Sequence, residues 1–95
     1  MSSYALVFRT PRNVQATAED EAAWGAWFQG LGGAVSDYGH RVGQASMLGA
    51  ESALGLAGYV VLTADDMSHA SELAKGCPGL QTGGTVEIGE IVDAA

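Results

Sequence analysis

The pattern of apolar and polar residues predicts four β-strands along this chain. Residues 4–9 and 59–63 are almost uninterrupted apolar runs, which are typical of strands buried on both faces. Val35–Arg41 is far more polar, and residues 85–92 carry their apolar side chains at intervals. Strands of this mixed kind suit the edges of a sheet. We therefore predict two central strands and two edge strands.

The segment after the first strand predicts an amphipathic helix. Its large apolar residues recur at spacings of three and four, at Trp24, Trp27, Phe28 and Leu31. Thr17, with Asp20 three residues later, has the pattern of a capping box, and Gly32-Gly33 is expected to end the helix. We interpret the two tryptophans as core residues rather than as a ligand-stacking platform. Gly25 lies off the apolar stripe, so we expect a neighbour packed close to it.

A second amphipathic helix is predicted over residues 65–75, directly after the third strand. Its apolar positions are Met67, Ala70, Leu73, Ala74 and Cys77. Asp65 is expected to cap the N-terminus, and His69 to lie on an exposed face. Cys77 lies at the helix end that does not favour a thiolate, so we interpret it as structural.

The predicted order of elements is β-α-β-β-α-β, which indicates an α+β, ferredoxin-like domain with an antiparallel four-stranded sheet. In this topology the first and third strands are central and the other two are edges. Residues 44–48 are expected to extend the second strand, residues 49–57 to form a loop, and residues 93–95 to fray. Two helices cover one face of such a sheet, yet both central strands are apolar on two faces. We therefore predict a homodimer, in which a second copy covers the other face.

Composition and charge narrow the classes of partner. The chain has 95 residues, the length of one domain, and a formal net charge of −7. Eleven acids against four bases argue against binding to nucleic acid, which needs clustered Lys and Arg, and against anionic membranes. A single cysteine fits a cytoplasmic protein and excludes a cysteine cluster for a metal. No apolar run reaches the length of a membrane span, and we expect no leader sequence.

Three stretches of the chain resemble the YCII-related family. They are AAWGAWFQGLGGAVSDYG at 22–39, GYVVLTADDMSHASELAKGCP at 58–78 and GGTVE at 83–87. The resemblance covers essentially the whole chain and implies a dimeric α/β barrel made of two ferredoxin-like units. It also places the chain near muconolactone isomerases and cofactor-free monooxygenases, so no cofactor is expected.

The functional residues proposed for members of that family do not carry over to this chain. Some members are proposed to use a histidine on the first helix, but residues 22–24 occupy that region here. Another branch has an Asp-Gly-Pro-Phe motif before the third strand, and residues 55–57 depart from it. The candidate site must therefore be sought among this chain's own polar residues.

The polar residues of the second strand form the candidate site. A carboxylate beside an imidazole can set its tautomer and raise its basicity, so Asp37 and His40 are the candidate catalytic pair. On a regular strand residues three apart point to opposite faces, and only a bulge or turn at Gly39 would bring the pair together.

Arg9, Tyr38 and Tyr59 are the candidate ligand-binding residues around this pair. No metal site is expected, because the two histidines lie on different elements without a nearby cysteine. We expect a small homodimer that binds a small organic molecule or acts as an accessory module. The alternative is a cofactor-free isomerase or monooxygenase that uses His40 and Asp37 as base and orienting group. A third interpretation is a structural or regulatory partner of another protein, so enzymatic activity stays open.

Overall fold

The computed structural model describes residues 1–92, which contain four strands and two α-helices. In chain order they are β1 (Ser2–Pro11), α1 (Ala18–Leu31), β2 (Val35–Arg41), β3 (Leu54–Ala64), α2 (Met67–Ala74) and β4 (Thr85–Glu90). Short 3₁₀ turns, Gly32–Ala34 and Pro78–Gln81, follow the helices. The predicted order of elements is confirmed, while the predicted fraying of residues 93–95 lies outside the described residues.

The strands form one antiparallel sheet in the order β2-β3-β1-β4. β1 and β3 are therefore central and β2 and β4 are edges, as the polarity of the four strands predicts. The fold is α+β and consistent with the ferredoxin-like topology. Within residues 1–92, neither helix is long and apolar enough to cross a bilayer.

β3 is longer than its apolar run, and the prediction of a loop over residues 49–57 is wrong from Leu54 onward. Residues 54–56 pair with residues 9–11 of β1, because the antiparallel register set by the apolar centre continues outward along both strands. The pairing is irregular between Phe8 and Arg9, where one extra residue of β3 is accommodated. Local composition around this glycine-containing segment did not show that a partner strand lies beside it.

Two further strand predictions are wrong at their ends. Residues 44–48 do not extend β2: the Val42 amide still donates to the Ala57 carbonyl at 2.8 Å, and beyond it the chain leaves the sheet. β4 ends at Glu90 rather than at residue 92, although the Ile91 amide makes one more hydrogen bond, to the Ser3 carbonyl at 2.8 Å.

Local capping fixes where both helices begin. At α1 the predicted capping box is confirmed, with the Asp20 amide 3.1 Å from Thr17 Oγ1 and the Thr17 amide 2.9 Å from the Asp20 carboxylate. At α2 the cap is Asp66, and the prediction of Asp65 is wrong. The Asp66 carboxylate accepts the His69 amide at 2.8 Å, whereas Asp65 donates its own amide to His69 Nδ1 at 3.0 Å. His69 is exposed, as predicted.

The aromatic residues of α1 pack against the core, as predicted. Trp24, Trp27 and Phe28 lie edge-to-face around Phe8 of β1, with ring centroids 4.9, 5.7 and 6.2 Å from it. Trp27 also donates its indole N–H to the Leu73 carbonyl at 3.3 Å, which ties α1 to α2. All three aromatic residues of α1 are half-buried, since they lie at the margin of the core.

The expectation of a close neighbour at Gly25 is wrong for residues 1–92. A Cβ at that position would meet no atom of the described residues within 4 Å, and the residue is exposed. Among residues 1–92, packing therefore gives no reason for a glycine at this helical position.

Both helices lie on one face of the sheet. The buried core combines sheet residues from that face with residues of the helical layer: Tyr4, Leu6, Phe8, Leu31, Val60, Leu62, Ala64, Ala70, Ala74 and Cys77. The alternate strand residues Ala5, Val7, Tyr59 and Val61 form the opposite, helix-free face. These side chains are half-buried except for Tyr59, which is 38 % exposed. The sheet thus presents an apolar centre on the side that the helices leave uncovered.

Candidate functional site

A cleft of about 560 Å³ lies where the ends of β1, β2 and β3 meet the first half of α1 and the loop before it. Its volume falls in the range of small-molecule sites, about 300–1,000 Å³. The rings that line it belong to Phe8, Trp24, Phe28, Tyr38 and Tyr59. The polar side chains that line it include Arg12, Glu21, His40, Arg41 and Gln44. Aromatic surface and hydrogen-bonding groups therefore converge in one concavity.

A β-bulge in β2 positions the polar residues beside this cleft. The pairing of β2 with β3 shifts between Asp37 and His40, and Gly39 occupies the shift with a φ of 61°. A Cβ on Gly39 would overlap the carbonyl oxygen of Tyr59, so a side chain does not fit. Asp37 Oδ1 accepts the Gly39 amide at 2.8 Å, which stabilises the turn of the backbone at the bulge.

The bulge that the candidate pair requires is present, but it does not join the two side chains. His40 lines the cleft, with its ring centroid 6.0 Å from that of Tyr59. Asp37 is not among the lining residues, and its carboxylate is engaged by the Gly39 amide. Within residues 1–92 no hydrogen bond or ion pair connects Asp37 to His40. Residues 1–92 therefore do not supply the orienting contact that a His/Asp pair needs.

Two of the three predicted ligand-binding residues line the cleft. Tyr38 and Tyr59 both line the cleft, and the Tyr38 ring lies 6.3 Å from that of Phe28. Arg9 lies outside the cleft, where its guanidinium forms an ion pair with Glu87 of β4 at 2.9 Å. His40, Tyr38 and Tyr59 therefore all border the cleft, whereas Arg9 and Asp37 do not. Across the strands His40 pairs with Tyr59 and Asp37 with Val61, so these side chains share the helix-free face, while the Tyr38 ring lies beside Phe28 of α1.

Arg41 enters the cleft together with an acid from α1. Its guanidinium lies 2.9 Å from the carboxylate of Glu21, and both side chains are well exposed. Exposed ion pairs of this kind contribute only about 0–1 kcal/mol to the free energy of unfolding. The main effect of the contact is therefore to orient the two side chains in the cleft.

Arg12 also lines the cleft, and the sequence pattern did not predict it as a site residue. Its Nε donates to the Ser52 carbonyl at 3.0 Å, and its amide donates to the Ala53 carbonyl at 3.2 Å. Both acceptors lie directly before β3, beside the residues 54–56 whose pairing with β1 the sequence pattern did not predict. Trp24 was recognised only as a core residue, yet it packs on Phe8 and lines the cleft as well.

Cys77 is buried, at 2 % exposure, as predicted for a structural residue. Burial raises the pKa of its thiol above the ordinary value of 9.0, while backbone hydrogen bonds from Gly79 and Leu80 act in the opposite direction. A thiol that is kept neutral is a poor nucleophile.

Across residues 1–92, no group of three or more His, Cys, Asp and Glu side chains is placed to hold a metal ion.

Fold and site together define an α+β protein of ferredoxin-like arrangement with a ligand-sized cleft beside the β2 edge. A comparison of the chain with models of protein families gives no match, and comparisons with curated proteins and with solved structures give none either.

Proposed function

We propose that the protein is a small homodimer of the YCII-related kind that binds a small organic molecule in the cleft beside β2. The observation that carries this proposal is the cleft itself, in which about 560 Å³ of space is bordered by several rings and hydrogen-bonding side chains. Small-molecule sites are mostly apolar concavities with a few placed polar groups. A chain of 95 residues forms only a small hydrophobic core. Packing that core does not require a cleft of this size, so the cleft is not explained by folding alone.

The exposure of the lining rings supports the same proposal. Tyr38 is 62 % exposed and Tyr59 is 38 % exposed, so both rings offer surface that the fold leaves uncovered. Tyrosine combines an apolar ring with a hydroxyl that donates and accepts hydrogen bonds. His40, beside Tyr59, adds a second group that can both donate and accept.

The dimer is the second part of the proposal. The helix-free face has an apolar centre, and the charged residues that flank it, Arg9 and Glu87, neutralise each other. A second copy that approaches this face would therefore meet a compensated Arg9–Glu87 pair, and Asp37, opposite Val61 at the β2 edge of the face, accepts the Gly39 amide. We further propose a cytoplasmic location, which the single cysteine supports.

A cofactor-free isomerase or monooxygenase is the alternative function. The observation that favours it is the position of His40 in the cleft, 6.0 Å from Tyr59 between ring centroids. Asp37 accepts the Gly39 amide and does not contact His40, so the carboxylate that orients the imidazole would have to come from outside residues 1–92, for example from the substrate or from the partner protomer. Binding without catalysis needs no such contact, and it is the function that the geometry supports best.

A thermal-shift screen of small aromatic compounds tests the proposal. We expect compounds that raise the melting temperature of the wild-type protein, because binding to the native state stabilises it by mass action. His40→Ala should reduce the ligand-induced rise by more than half, since it removes a polar contact inside the cleft.

His69→Ala is the matched control, because it removes the same side chain from α2, outside the cleft. Its ligand-induced rise should equal that of the wild type, whatever its own melting temperature. A screen without binders, or binders that respond equally to both variants, would show that the cleft is not a binding site of this kind.

A further inference from the structure

We infer that the cleft selects a small organic anion, with an apolar body and a carboxylate group, and that Arg12 recognises that group. This inference rests on the proposed function and adds the chemical class of the ligand.

The charge of the cleft is opposite to that of the chain. The chain has four basic and eleven acidic residues, yet the cleft is lined by two bases, Arg12 and Arg41, and one acid, Glu21. Arg41 and Glu21 form an ion pair and so compensate each other. Among the residues that line the cleft, no acid compensates the positive charge of Arg12. In a protein with a net charge of −7, this uncompensated charge attracts an anion to the cleft.

The guanidinium of Arg12 is anchored and still has donors to offer. Its Nε is used by the Ser52 carbonyl at 3.0 Å, whereas its two Nη groups make no hydrogen bond to residues 1–92. Each of the other three basic side chains forms an ion pair, but no carboxylate of residues 1–92 does so with Arg12. Glu51 borders a neighbouring hollow together with Arg12 without pairing to it. The planar fork of an arginine matches a carboxylate, and anchoring at Nε reduces the entropy lost on binding.

The surroundings of Arg12 indicate an apolar body for the anion. Phe8, Trp24 and Phe28 line the same cleft, and Leu56 of β3, which is 39 % exposed, lies there too. A bare inorganic anion would leave this apolar surface in water, whereas a ring attached to a carboxylate would cover it. The cleft volume of about 560 Å³ accommodates such a molecule.

Titration with benzoate and with its neutral analogue benzamide tests the inference on the full-length protein. The readout is the pair of indole N–H signals in a ¹H–¹⁵N NMR spectrum. Trp24 lines the cleft, while the Trp27 indole is bonded to the Leu73 carbonyl and serves as an internal control. We expect benzoate to shift the Trp24 signal with saturation and to leave that of Trp27 in place. Benzamide should bind at least about ten-fold more weakly, as expected when a charge-assisted hydrogen bond is lost.

Arg12→Gln and Lys75→Gln are the matched variants, because each lowers the formal net charge of −7 by one further unit. Lys75 lies outside the cleft, beside Glu72. Arg12→Gln should weaken benzoate binding about ten-fold or more and leave benzamide binding unchanged. Lys75→Gln should bind both probes as the wild type does.

Equal binding of benzoate and benzamide, or equal losses in the two variants, would overturn the selection of an anion while leaving a binding cleft in place. Saturable binding of neither probe would also overturn it. If the thermal-shift screen then finds no compound whose binding depends on His40, the proposed function fails as well, so the two failures are distinguishable.

Discussion

At the scale of single residues, two glycines allow β2 to lie against β3. Gly39 has a positive φ and its backbone lies against the Tyr59 carbonyl, while a Cβ on Gly58 would come within 2.9 Å of the His40 carbonyl oxygen. The two strands approach closely at both points because neither residue has a side chain. Asp37 then stabilises the bulge through the Gly39 amide. This local arrangement decides which side chains of β2 border the cleft.

Gly39→Ala should destabilise the protein and disturb the cleft. An alanine with a positive φ costs about 1–3 kcal/mol, and the overlap with Tyr59 adds to that cost. Urea unfolding should report the loss. Gly43→Ala is the control, because a Cβ there would meet no atom of residues 1–92 within 4 Å and the Gly43 φ lies outside the left-handed region. If both variants unfold at the same urea concentration, the bulge is not required for the fold.

At the scale of elements, α1 serves two purposes. Its capping box fixes the first turn, and its aromatic residues meet Phe8 in the core. Trp24 reaches the cleft as well, so the helix connects the packing of the core to the shape of the candidate site. Gly25 takes part in neither contact and lies exposed in the middle of the helix.

Gly25→Ala should stabilise the protein by about 1 kcal/mol, because alanine is the better helix former and the added methyl group meets no atom of the described part of the chain within 4 Å. Thermal or urea unfolding measures the gain. Ala26→Gly, at the next exposed position of α1, should cost a similar amount. A loss of stability in Gly25→Ala would indicate that a second chain packs against this position.

At the scale of the whole molecule, the uneven covering of the sheet is the main feature. Both helices lie on one face, and the opposite face exposes an apolar centre that residues 1–92 leave uncovered. Large exposed apolar patches are uncommon on monomers and mark interaction sites. The proposed homodimer would cover this face in both copies by one symmetric contact.

Light scattering at micromolar concentration should report about twice the 9.7 kDa mass of the chain. Val7→Lys, at the centre of the helix-free face, should shift the protein toward monomer, since burying an unpaired charge in an interface is costly. Val14→Lys makes the same change at an exposed loop position and should not affect the mass. A wild-type protein that is monomeric under these conditions would contradict the dimer.

Much of the fold follows from the sequence by itself. Residue periodicity identified four strands and two helices in the correct order, because apolar spacings of two and of three to four depend only on local geometry. Strand polarity separated central from edge strands, since it reflects how many faces are buried. The cap at Thr17 was also readable, because its partner Asp20 lies three residues away.

Only the tertiary structure decided how far β3 extends and which residues share the cleft. The segment from Leu54 pairs with the end of β1, more than 40 positions earlier in the chain, and no local signal marks such a partner. That pairing brings Arg12 to the cleft, while Asp37 turns toward Gly39 and Arg9 toward Glu87. The sequence therefore determined the elements and predicted His40, Tyr38 and Tyr59 as site residues, and all three border the cleft. Residues from distant segments reach the cleft because the strands pair in one register. That register is set when the strands pair in the folded chain, so no local pattern in the sequence shows it.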